Sequence, residues 1–301
     1  MSITISNLSK NYGSQKAVND VSFSLHKNEI VGFLGPNGAG KSTTMKMITG
    51  YLEADGGKII VCGIPVERSN ILTRKKIGYL PEANPLYLEM YVREYLNFIA
   101  DIHKVKSSKK RVEEVIELVG LKSESHKKIK QLSKGYKQRV GLAATLVHDP
   151  EVLILDEPTT GLDPNQIIEI REVIKKLGKH KTILFSSHIM QEVEALCDRV
   201  IIINKGKIVA DDNLTNLKKG NLEKQVVTVQ FKENVNMQTL VSIEGVEGVT
   251  EGHENNFIIE TTSAELLKKK IFEFSLQHQL NIISLNSENQ SLEHIFKQLT
   301  T

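Results

Sequence analysis

The run Gly35-Pro36-Asn37-Gly38-Ala39-Gly40-Lys41-Ser42-Thr43 has the composition and spacing of a phosphate cradle, G-x-x-x-x-G-K-[ST]. Glycines let a backbone wrap so that its N–H groups point inward at phosphate oxygens. A helix opening at Lys41 adds the partial positive charge of its N-terminus. Lys41 brings a point charge that can reach the terminal phosphates, and the Ser42 hydroxyl can ligate Mg²⁺. A second group stands downstream at Val152-Leu153-Ile154-Leu155-Asp156-Glu157, where an apolar run ends in two carboxylates. At the end of a buried strand, Asp156 would meet the shell of a Mg²⁺ ion. Glu157, one residue on, could take a proton from an attacking water as general base. Alone, this segment is an ordinary buried strand with an acidic end, and the phosphate cradle gives it weight. The two together predict binding of a nucleoside triphosphate with Mg²⁺ and attack on its terminal phosphate.

That chemistry requires a strand–loop–helix unit. Residues 29–34 supply a short apolar strand running into the glycine loop, and a helix is expected from Lys41 onward. Val21, Phe23 and Leu25 alternate with polar residues as in a half-buried strand. Further strands are expected at 58–62, Ile77–Leu80, Val152–Asp156, Thr182–Ser186 and 200–204. The last is followed by Lys205-Gly206 and a hairpin partner at 208–210. Between Pro85 and Pro150 helical periodicity takes over, clearest at 91–105 and 109–119, where Val112, Val115, Ile116 and Val119 share a face. The lysine-rich stretch 104–111 reads as a solvated loop and helix start. The expected first domain is therefore α/β with a mixed sheet core over 1–221, carrying a helical subdomain over about 83–150. A second domain is expected over 222–301, with strands at 226–231, 257–260 and 282–285. Thr262 and Glu265 have capping-box spacing for a helix reaching about His278, and a short helix at 292–299 ends the chain. This is the pattern of a small α+β domain of ferredoxin-like type, regulatory or dimerising in role.

Leu132-Ser133-Lys134-Gly135-Tyr136-Lys137-Gln138-Arg139 resembles the signature of the ABC ATPases and precedes the acidic strand, as in that family. Thr160-Gly161-Leu162-Asp163 resembles the family's D-loop, and Ser187-His188 its switch histidine. Tyr12 stands ahead of the cradle, where the family sets an aromatic ring on adenine. On these motifs the chain is identified as a member of the P-loop NTPases of ABC type. The resemblance implies ATP and Mg²⁺ as cofactors and two ATP-binding subunits docked head to tail, with a second copy of this chain as the expected partner. It implies that Ser133 and Gly135 face the γ-phosphate held by the other subunit. It also implies that His188 holds that phosphate and orients water beside Glu157, and that Asp163 links the two sites. Glu82, in Gly78-Tyr79-Leu80-Pro81-Glu82, stands where the commonest family pattern has glutamine; by resemblance it lies near Mg²⁺. Lys134 and Tyr136 replace the usual glycine and glutamine of the signature. These departures, with the tail Leu292-Glu293-His294-Ile295-Phe296, resemble the ABC-2 branch of exporters. Segment 78–98 resembles the ATP-binding subunit associated with gliding motility. The branch implies integral membrane permease subunits as partners and peripheral attachment to the inner face of the cell membrane.

Composition sets the outer limits. Of 301 residues, 40% are hydrophobic and 25% charged, ordinary values for a globular chain with a core. The net charge of +3 gives no argument for nucleic acid, so none is expected as a partner. A single phosphate cradle also argues against the alternative of a soluble ABC ATPase on nucleic acid or ribosomes, since those usually carry two cassettes. A module that closes on ATP without hydrolysing it would not need Glu157. The start shows no basic region followed by an apolar run, and no stretch approaches the ~18 apolar residues of a membrane span. Cys62 and Cys197 are too far apart in sequence to suggest a disulfide framework, and the nine histidines lack metal-ligand spacing. The expectation is a cytoplasmic protein whose membrane role comes through a partner.

Overall fold

Alternating apolar and polar residues make strands buried on one face, whereas unbroken apolar runs make strands covered on both. The computed structural model, which describes residues 1–220, 225–252, 255–288 and 292–300, contains both kinds. Strand β2 (Gln15–Leu25) alternates, β1 (Ile3–Tyr12) alternates only over its first residues, and β3 (Ile30–Leu34) is buried at every position. The chain continues through α1 (Lys41–Ile48), β4 (Gly56–Val61), β5 (Ile64–Pro65), α2 (Ile71–Lys76) and β6 (Ile77–Leu80). Helices α3 (Val92–Ile102), α4 (Ser108–Leu118) and α5 (Lys134–Leu146) follow. The elements β7 (Val152–Asp156), α6 (Pro164–Gly178), β8 (Thr182–Ser186), α7 (Met190–Leu196), β9 (Arg199–Asn204) and β10 (Lys207–Asn213) complete this part.

The mixed core is two sheets. An antiparallel sheet runs β2-β1-β4-β5, and a second sheet runs β10-β9-β3-β8-β7-β6. In the second, β3, β6, β7, β8 and β9 are mutually parallel. One core cluster joins the two sheets around α1, including Phe23, Phe33, Met45, Ile154 and Ile201. Phe23 and Phe33 meet at 5.6 Å between ring centroids. Full burial of a side chain such as Phe33 or Phe185 contributes about 1.5–3 kcal/mol. Parallel pairing sets the C-terminal ends of β3, β6, β7 and β8 along one edge, and the chain crosses over on either side of β3. That edge is where an open α/β sheet forms its ligand crevice.

The helical face predicted for α4 is buried, with Val112, Val115, Ile116 and Val119 at most 1% exposed. Helix α3 stops at Ile102, short of the expected 105, because Lys104 turns into the left-handed region at φ 54°. No described helix is long and apolar enough to cross a membrane.

The chain divides at Asp212/Asn213, whereas the boundary expected at 221 lies outside the described residues. Helix α8 (Leu214–Gly220) groups with the second unit, which moves the division forward. That unit continues as β11 (Gln225–Phe231), α9 (Met237–Val241), β12 (Gly248–Glu251), β13 (Asn256–Thr261), α10 (Ala264–Gln277), β14 (Ile282–Glu288) and α11 (Leu292–Thr300). Its sheet is antiparallel in the order β12-β13-β11-β14, the arrangement of a split β-α-β-β-α-β motif. Val227, Val229, Phe231, Phe257, Ile259 and Leu267 form its own core. The capping box expected at Thr262 and Glu265 does not form. Ser263 is the N-cap of α10, with no side-chain cap, and the Ser263 N–H donates to the Thr261 hydroxyl at 3.1 Å.

Candidate active site

The cradle lies between β3 and α1, and its glycines meet different constraints. A Cβ at Gly35 would collide with the Ile203 carbonyl oxygen, and one at Gly40 with that of Ala17. Gly40 also has φ 109°, a conformation that strains L side chains, and it caps α1. Pro36, Asn37 and Ala39 complete the loop, where Ala39 N–H donates to Pro36 O at 3.1 Å. Lys41 folds back over the loop, donating from Nζ to Gly35 O at 2.7 Å and to Pro36 O at 3.2 Å. Thr43 follows Ser42 in the first turn of α1. Burial draws the Lys41 ammonium below the ordinary lysine range, while the charges of Glu157, Asp156 and Glu82 hold it up. One ammonium thus sits in the field of three carboxylates, from the end of β7 and the segment after β6.

At the end of β7, Asp156 pairs in register with Ser186 of β8. Ser186 Oγ donates to Asp156 Oδ1 at 2.7 Å and accepts the Glu157 N–H at 3.0 Å. Successive side chains of a strand point to opposite faces. Glu157 leaves the strand with φ 50°, in the left-handed region, so neighbouring carboxylates escape that alternation. The turn costs roughly 1–2 kcal/mol. Glu157 Oε2 lies 2.7 Å from His188 Nδ1 and accepts from Thr160 Oγ1 at 3.3 Å. Glu157 is buried, whereas the His188 side chain is 55% exposed. The pair therefore joins a sheltered carboxylate to an accessible imidazole.

Ser42, Glu82 and Asp156 line one cleft of about 1070 Å³, beside the Tyr79 hydroxyl, which is buried without a partner. Among the described residues no three His, Cys, Asp or Glu side chains form a metal cage. Two carboxylates and a hydroxyl leave part of an octahedral shell to phosphate oxygens and water, the usual way Mg²⁺ is held. The residues fit that ion bound together with a nucleotide.

Tyr12 ends β1 and is 52% exposed. Ser133 and Gly135 do not border the cleft of Ser42, Glu82 and Asp156. Ser133 caps α5, its Oγ accepting the Tyr136 N–H at 3.3 Å. Gly135 lies against Gln166 and Gly161 against the Lys134 side chain, so a Cβ at either glycine would collide. Asp163 caps α6, accepting the Gln166 N–H at 2.9 Å. Two contributors were not singled out from sequence. Ser186 joins Asp156 to Glu157, which only the pairing of β7 with β8 reveals. Asn84 donates from Nδ2 to Lys137 O at 3.0 Å and packs on Gly141, tying the segment after Glu82 to α5.

Residues 18–160 match the family model described as ABC transporter. The linearmycin resistance ATP-binding protein LnrL of Bacillus subtilis (strain 168) is 36% identical over 301 residues, covering 98% of this chain and 96% of its own. The bacitracin transport ATP-binding protein BcrA of Bacillus licheniformis is 37% identical over 305 residues, covering 99% and 96%. Among solved structures, the dimeric MJ0796 bacterial ABC transporter cassette matches with a TM-score of 0.65 at 25% identity, over 70% of this chain and 98% of that one. Geometry and relatives agree: the chain belongs to the ABC transporter family as one of its ATP-binding subunits, an ATPase that uses ATP and Mg²⁺, pairs with a second such subunit and serves a membrane permease.

Proposed function

We propose that this subunit powers an ABC-2 type exporter from the inner face of the cell membrane, with Glu157 as the base for hydrolysis. The observation that carries the reading is the 2.7 Å contact between Glu157 and His188 at the strand end that also holds Asp156. In this reading Lys41 exchanges the carbonyls of Gly35 and Pro36 for the β- and γ-phosphates, replacing neutral acceptors with anionic ones. Backbone N–H groups from Gly35 to Thr43 cradle the phosphates, and Tyr12 stacks on adenine. Ser42 and Asp156 would hold Mg²⁺, and Glu82 lines the same cleft. Bound there, the ion draws charge off the phosphate oxygens. His188 holds the γ-phosphate and keeps the attacking water beside Glu157, which accepts its proton. Ser133 and Gly135 of each chain serve the ATP held by the other, and Asp163 links the two sites. Residues 213–301 form a regulatory or dimerising domain.

Transport is supported by the relative named for bacitracin transport, and the export direction by the ABC-2 resemblance of the departures at Glu82, Lys134 and Tyr136. The narrower assignment to gliding motility rests on segment 78–98 alone. The test uses Glu157→Gln, which is expected to keep ATP binding, lose turnover and accumulate as an ATP-loaded pair. Capture of that variant with ATP from detergent-solubilised native membranes is expected to recover a stoichiometric polytopic membrane protein. Recovery of ribosomal or other soluble partners alone would replace the exporter reading, and near-normal turnover would remove Glu157 as the base.

A further inference from the structure

Glu192, on α7, is fully buried, yet no step above uses it. Its Oε2 accepts two hydroxyl donors, Thr159 Oγ1 at 2.6 Å and Ser187 Oγ at 2.8 Å. Thr159 stands two residues after Glu157, and Ser187 immediately precedes His188. Ser187 Oγ in turn accepts the Ile189 N–H at 3.0 Å, so the tie continues through the backbone beyond His188. The other oxygen, Oε1, is buried without a hydrogen bond, and its ion-pair partner is Arg171 Nη2 of α6 at 4.0 Å. Arg171 Nε is also buried without a partner. A half-satisfied buried carboxylate costs stability that an apolar residue of similar volume would not. What it supplies is geometry, because one oxygen fixes a hydroxyl from each of the two segments flanking the reacting pair.

We infer that Glu192 is a positioning residue for hydrolysis, holding Glu157 and His188 at working separation through Thr159 and Ser187. The tie is one of two. On one side Ser186 binds Asp156 and the Glu157 N–H. On the other Glu192 binds Thr159 and Ser187, and the Glu157–His188 contact lies between. Misplacement of a catalytic group by about 1 Å can cost on the order of 100-fold in rate, whereas the cradle that binds ATP lies outside this network. The inference rests on Glu157 being the base.

Single-turnover hydrolysis and ATP affinity, measured on the full chain, test it with Glu192→Ala, Glu192→Gln and Thr159→Val. Thr159→Val removes one hydroxyl at nearly constant shape and guards against a misfolded Glu192→Ala. Glu192→Ala and Thr159→Val are expected to slow turnover by about tenfold or more, with ATP affinity kept within about twofold. Glu192→Gln, which keeps an oxygen acceptor for both hydroxyls, is expected to recover part of the loss. Three results overturn the inference: unchanged turnover, ATP affinity lost in step with turnover, or Glu192→Gln as slow as Glu192→Ala. A Glu157→Gln chain that still turns over would instead remove the reading beneath it.

Discussion

Gly38 and Gly40 both have left-handed φ, 78° and 109°, but they answer to different neighbours. Nothing lies within 4 Å of a Cβ built at Gly38, whereas one at Gly40 meets the Ala17 carbonyl oxygen. Gly38→Ala therefore carries only the conformational penalty, about 1–2 kcal/mol. Gly40→Ala adds a backbone collision and is expected to cost about 2–4 kcal/mol. Urea midpoints of the two variants check the order; equal midpoints would mean the loop yields at Ala17. The motif made the need for glycine legible in the sequence, but not which glycine is confined, because Ala17 and Ile203 reach the loop only after folding. Glu157 teaches the same lesson. Sequence placed two carboxylates at a strand end, where alternation would send them to opposite faces. The left-handed turn at Glu157 and the Ser186 hydroxyl that braces it appear only in the folded chain.

Elements made of one uninterrupted pattern were the most readable. The runs of β6, β7 and β8 have the expected bounds because each is built on consecutive apolar residues, Tyr79-Leu80, Val152-Leu153-Ile154-Leu155 and Ile183-Leu184-Phe185, with polar residues or proline at the borders. β1 escaped notice because Ser6, Asn7 and Ser9 interrupt its alternation, and register shifts on both sides absorb them, with Asn7 at φ 50°. Where α3 ends, His103 stacks on His148 at 4.0 Å and 9°, while His148 Nε2 contacts Ile77 O of β6 at 3.0 Å. Burial, with the charge of His103 next, pushes His148 down to about 4; Lys181 adds to the shift, and Ile77 O and Asp149 oppose it. The folded state thus favours neutral His148, while the unfolded chain takes up its proton at the ordinary value of about 6.5. Stability is fully present above about 6.5 and is lost as pH falls toward about 4. From pH 7 to pH 5 the loss is about 2 kcal/mol for this group. His148→Gln keeps an N–H for Ile77 O but does not titrate. Its urea midpoint is expected to shift less between those two pH values than that of the unaltered chain, and an equal shift would assign the effect elsewhere.

The whole molecule separates chemistry from the tail. Lys41, Ser42, Glu82, Asp156, Glu157 and His188 all belong to the unit ending at Asp212. The unit over Asn213–Leu299 has a four-stranded sheet and a core of its own. Phe231, Phe257 and Ile259 are fully buried, and among the described residues the core cluster that holds them is built from this unit's own side chains. A unit with its own core can fold alone, and its removal should leave the first unit's sheets intact. A chain ending at Asp212 is expected to keep ATP affinity within about twofold and basal hydrolysis within about threefold, since each depends on local geometry. Residues 213–301 alone are expected to unfold cooperatively in urea. The decisive comparison adds Glu157→Gln to both the full and the shortened chain and measures ATP-dependent pairing by sedimentation. If only the full chain pairs, the tail holds the dimer together. If both pair equally, the tail is left to regulation or to the permease. Loss of basal hydrolysis in the shortened chain, with ATP affinity kept, would make the tail part of the paired catalytic unit.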